Sequence, residues 1–157
     1  MATQLAALCS SWGSYYGNHQ ALSVTIRSLH LLALVVGGGT AVAADRRVLT
    51  ARQAGLLADA VGYMQRSHRL VISAFVVIVL TGLLMALADV ETYSVSVLFW
   101  TKMGLVTLLI ANGGILTTAG RKAAASPWRG RLIAGSVISV VLWLAIVYAS
   151  SWLMVAA

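Results

Sequence analysis

The sequence predicts an all-α protein: an integral membrane four-helix bundle with an amphipathic surface helix in its first inner loop. Three observations predict it. Apolar runs fill residues 29–44, 70–88, 103–120 and 132–157, and 60% of all residues are hydrophobic. An apolar stretch of about 18 or more residues spans a bilayer as a helix, because backbone groups there have no water and must bond within the segment. Nine of the eleven Lys and Arg residues fall in two short segments between those runs: Arg46, Arg47, Arg52, Arg66 and Arg69, then Arg121, Lys122, Arg129 and Arg131. Basic loops stay in the cytoplasm, so both segments are expected inside and both termini outside. The acids Asp89 and Glu91 lie between the second and third runs, on the outer side.

Each element follows in order. Residues 1–21 form an uncharged outer tail with no basic n-region, unlike a cleavable signal peptide. Trp12, Tyr15 and Tyr16 suit the outer interface, with Tyr148 and Trp152 of the last span joining the same belt. The four-span domain covers residues 22–157, and the first span runs over 22–44, crossing one charge, Arg27. The inner loop, 45–69, is long for a plain turn and has a helical pattern of its own. Leu49, Leu56, Leu57, Ala60, Val61 and Met64 recur at three-to-four spacing. Thr50 and Gln53 have capping-box spacing, so an amphipathic helix starting there and lying on the inner surface is expected. The second span covers 70–88 and the third 98–119. Pro127 falls in the second inner loop, where it interrupts no helix, and the fourth span covers 131–154.

Small residues mark where helices approach, since in lipid close backbone contact replaces apolar bulk as the source of association. Three such patches are Gly37–Gly39 with Ala41, Gly113 with Gly114, and Gly135 with Ser139. Asn112 and Thr117 are suited to bonding between helices.

Composition removes several functional classes. Four spans with short loops use nearly all 157 residues and leave no room for a soluble catalytic domain. The net charge of +7 sits in juxtamembrane loops, where topology and anionic headgroups explain it, so nucleic acid is not an expected partner. One cysteine, Cys9, excludes an intrachain disulfide and a cysteine metal cage. Neither an HExxH motif nor paired carboxylates occur, and the methionines do not cluster as a copper cage would.

Chemistry, if present, is expected in the outer half. Arg27, His30, Leu34, Gly37, Ala41 and Asp45 share one face of the first helix, and Lys102 enters the third at a depth similar to His30. Ionisable groups inside a span are costly and mark functional sites by default. Arg27 and Lys102 also suit snorkelling to the interface. His30 reads either as a neutral imidazole bonded to another helix, or as a heme-iron ligand or quinone partner. Arg27 and Lys102 would then neutralise propionates or polarise a carbonyl, with Gly37 admitting the group. His68 lies at the opposite end, on the order of 20 Å from His30 by helical rise, too far to share a heme with it.

The segments SLHLLALVVGGGTAVAADRRVL, LTGLLMALAD, FWTKMGLVTLLIANGG and VVLWLAIVYASSW carry an ordered set of residues: His30, Gly37, Asp45 with Arg46 and Arg47, Thr81 with Gly82, Lys102 and Trp143. In that order they resemble small four-span bacterial membrane proteins of unassigned function related to the CopD-like copper-resistance domain. More distantly the chain is similar to HemJ-type protoporphyrinogen oxidases, which bind heme, although it has Asn112 where those would have a second histidine. The functional expectation is a small accessory subunit of a larger membrane redox complex, respiratory, photosynthetic or other, in the bacterial inner membrane. Its expected partners are the bilayer and that complex, or further copies of itself. The alternatives are an electron-transfer protein holding heme b or quinone near His30, with His30 as metal ligand, and a CopD-like permease.

Overall fold

In a computed structural model, residues 2–51, 54–122 and 126–156 are described. They form six helices and, among the described residues, no strand: α1 (Ala2–Asn18), α2 (Gln20–Thr50), α3 (Ala54–Ala88), α4 (Val90–Val95), α5 (Val97–Arg121) and α6 (Ser126–Ala156). Four of them, α2, α3, α5 and α6, are long and apolar enough to cross a membrane. The chain is thus a multi-pass, all-helical membrane bundle.

Local chemistry sets the breaks. The Asp89 carboxylate accepts from the Thr92 N–H at 3.3 Å and starts α4. Ser96 Oγ accepts from the Phe99 N–H at 3.3 Å and starts α5. Both satisfy helix N–H groups that have no partner within the helix. α2 ends where the Ala51 N–H turns back to the carbonyls of Arg47 and Val48.

The helices pack as two hairpins, α2 with α3 and α5 with α6, joined mainly by α2 against α6. α3 and α5 barely touch, so the bundle is open along one side. One core cluster lies at the basic end, where Val48, Leu57, Ala60 and Val61 meet Leu116, Ala119 and Leu132. A second, toward the middle, gathers Leu109, Leu142, Trp143 and Ile146. Leu31, Leu32, Val35, Leu80, Leu83, Ile110, Val141 and Leu144 are exposed on the outside, as lipid-facing side chains should be.

Two elements differ from expectation. The helix expected on the inner surface exists, but as the opening turns of α3, continuous with the second span. Its apolar face is buried in part: α3 carries Leu57, Ala60 and Val61 onto the ends of α5 and α6, while Leu49 and Leu56 stay exposed. Of the expected capping box, Thr50 ends α2 and its hydroxyl donates to the Arg46 carbonyl at 3.0 Å; Gln53 lies outside the described residues. The N-terminal tail is helical. α1 lies on α3 and α2, its Trp12 Nε1–H donating to the Leu84 carbonyl at 2.8 Å. Gly13 permits this approach, since a Cβ there would stand 2.6 Å from the Ala88 carbonyl oxygen. Trp12 and Tyr16 therefore anchor a helix, whereas Tyr15 remains exposed.

Candidate functional site

Of the predicted site residues, Arg27, His30 and Lys102 lie in the half of the bundle away from the basic loops, and Gly37 lies nearer the middle. His30 on α2 is half-buried and its Nδ1 lies 2.9 Å from Thr81 Oγ1 on α3. The Thr81 hydroxyl spends its proton on the Val77 carbonyl at 2.6 Å. In the tautomer that matches this bond, His30 Nδ1–H donates to Thr81 Oγ1 and Nε2 is an acceptor. The ring rests on bare backbone, for a Cβ at Gly82 would stand 3.2 Å from His30 Cε1. His30, Thr81 and Gly82, far apart in sequence, thus form one contact.

The other members are looser. Arg27 is exposed, and its Nε–H donates to the Tyr16 hydroxyl at 3.4 Å, tying α2 to α1. Lys102 is half-buried and within electrostatic reach of His30. Gly37 is buried at a helix crossing: a Cβ there would stand 2.6 Å from the Cβ of Ala74. Gly38 lies under the Trp143 ring in the same way, at 3.1 Å. Among the described residues no three His, Cys, Asp or Glu side chains converge as a metal site would require.

A second place, which sequence reasoning missed, lies toward the basic end. Where α3 and α5 diverge they leave a cleft of ≈ 630 Å³. Its polar wall includes Asp45, Gln65, His68, Ser139 and Arg121; its apolar wall includes Val71, Phe75, Leu109, Ile110 and Trp143. Gly113 and Gly114 form part of the α5 side, and a Cβ at either would meet nothing within 4 Å. This pair was expected to pack helices. It instead leaves space, because α3, the helix opposite, stands away from α5.

Asp45 is the most confined charged group there, 3% exposed, facing the hydroxyls of Ser136 and Ser139 on α6. Ser136 Oγ is fully buried and makes no hydrogen bond of good geometry. Beside it, Asn112 Nδ2 donates to the Gly135 carbonyl at 2.9 Å, joining α5 to α6. The sequence already placed Asp45 on the packing face, one and two turns beyond Ala41 and Gly37, but not in a site. The cleft had no such signal, since the separation of α3 from α5 is not written in either helix.

Elsewhere in the basic segments, aromatic rings hold part of the positive charge. The Arg47 guanidinium sits 3.8 Å from the Tyr63 ring centroid, and Arg131 and Lys122 lie 4.7 and 4.8 Å from that of Trp128. Comparison with known proteins yields one family model, a family of unknown function (DUF6644), matched over residues 6–156. No curated protein and no solved structure matches the chain.

Proposed function

The chain belongs to the DUF6644 family, whose function is unassigned; from that premise we propose that it is a small accessory subunit of a larger membrane redox complex. The observation that carries the reading is how polar groups inside the bundle are used. His30 binds Thr81, Asn112 binds the Gly135 backbone, and Asp45 faces Ser139, each joining two helices. Such bonds fix helix positions, as a scaffold requires, and each contributes on the order of 1 kcal/mol in a membrane. The outward apolar faces of all four long helices offer surface for neighbouring spans as well as lipid. The setting that fits the charge pattern is the bacterial inner membrane, with the basic loops in the cytoplasm and both termini outside. The test is co-purification. A tagged chain extracted in mild detergent should run on a native gel as a stoichiometric complex with other membrane proteins. A monodisperse species containing this chain alone would overturn the reading.

A second reading has one observation of its own. The bond to Thr81 leaves His30 Nε2 as an acceptor with Lys102 nearby, which suits a heme-iron ligand or a quinol hydroxyl. An oxidised-minus-reduced spectrum with a Soret band that disappears in His30→Ala would favour heme there; a colourless preparation would remove it. The CopD-like permease reading rests on the resemblance alone.

A further inference from the structure

We propose that the cleft between α3 and α5 is a binding site for a prenylated quinol, entering sideways from the bilayer, with Asp45 as the acceptor for a ring hydroxyl. The inference is independent of the subunit reading and of any ligand at His30.

Four features support it. The volume, ≈ 630 Å³, lies within the roughly 300–1,000 Å³ range of small-molecule sites. The cleft has flat material on both sides: the Phe75 and Trp143 rings, and the bare backbone at Gly113 and Gly114. A planar ring fits such a slot, whereas side chains at the two glycines would occupy it. The opening lies where two membrane-spanning helices separate, and Ile72 and Ile110 at that opening are exposed and apolar. An apolar isoprenoid tail suits such an opening toward lipid.

The fourth feature is the polar end. Asp45, 3% exposed, faces the hydroxyls of Ser136 and Ser139. A buried acid is costly unless hydrogen-bond donors face it, and Ser139 and Ser136 face it within the protein. A quinol hydroxyl supplies another. Gln65 and His68, also in the lining, are placed to meet the remaining ring oxygens. The same acid argues against other bilayer occupants. The phosphate of an anionic phospholipid, or the propionates of a heme, would bring like charge toward Asp45, while Arg121 in the same lining would attract them, so phosphatidylglycerol is the competitor to exclude.

The test titrates the purified full-length chain in mild detergent with decylubiquinol and reads quenching of tryptophan emission, Trp143 being in the cleft wall. Saturable quenching is expected. Gly114→Leu, which fills open space, should weaken binding at least tenfold with an unchanged melting temperature. Ile110→Trp narrows the opening from the exposed face and should act likewise if Gly114→Leu disturbs folding. Asp45→Asn should weaken binding about tenfold, while Gly39→Ala, on an exposed face of α2, leaves it unchanged. Full-strength quenching in both cleft variants would overturn the proposal. So would loss of binding in Gly39→Ala with retention in Gly114→Leu, or displacement of the probe by stoichiometric phosphatidylglycerol.

Discussion

At the scale of single residues, glycines that look equivalent in the string GGG have different physical roles. A methyl group on Gly37 would fall 2.6 Å from the Ala74 Cβ, and neither atom has a torsion with which to withdraw. Gly37→Ala should therefore push α2 from α3 and cost about 1–3 kcal/mol, the usual range for overpacking. It should appear as a lower melting temperature in detergent. Gly39 has nothing within 4 Å of a built Cβ. Gly39→Ala should leave the melting temperature level or raise it slightly, since it reduces the freedom of the unfolded chain. A different single-residue effect belongs to Asn112, whose amide is buried and bonded to the Gly135 carbonyl. Asn112→Ala should destabilise the α5–α6 pair by about 1 kcal/mol. No change in denaturant midpoint would mean that this bond adds nothing.

At the scale of elements, α3 and α1 show how tertiary contact decides the fate of a helical pattern. The pattern from Leu56 to Met64 is amphipathic, and in isolation a membrane surface satisfies it as well as a protein core does. The ends of α5 and α6 stand where α3 begins, so the pattern continues into the span and buries Leu57 and Val61. α1 depends on fewer contacts. Its longest-range polar anchor is the bond from Trp12 to the Leu84 carbonyl at 2.8 Å. Trp12→Phe keeps an aromatic ring but removes the donor, at a cost of about 1 kcal/mol. Amide exchange should then accelerate in α1 while α2 and α3 keep their protection. Equal acceleration throughout would show that α1 belongs to the same cooperative unit as the bundle.

At the scale of the whole molecule, two hairpins meet mainly through α2 and α6, and the open side becomes the cleft. Such a bundle has an orientation as well as a shape. The basic clusters at one end and Asp89 and Glu91 at the other predict that a reporter fused after Ala157 reads periplasmic and one fused at Lys122 reads cytoplasmic. Reversed signals would invert the assignment of both ends.

Span number, the charge difference between the two ends and the packing at Gly37, Gly38 and Gly135 were legible in the chain, because hydropathy, charge and residue size act locally and leave periodic marks. His30 was legible as a helix-facing imidazole, but its partner Thr81 lies 51 positions away and only the pairing of α2 with α3 reveals it. The burial of Asp45 beneath α6, the open space at Gly113 and Gly114, and the cleft between them depend on how far apart α3 and α5 stand. That distance is set by both hairpins packing at once through the α2–α6 contact, a property of the assembled bundle that no single helix encodes.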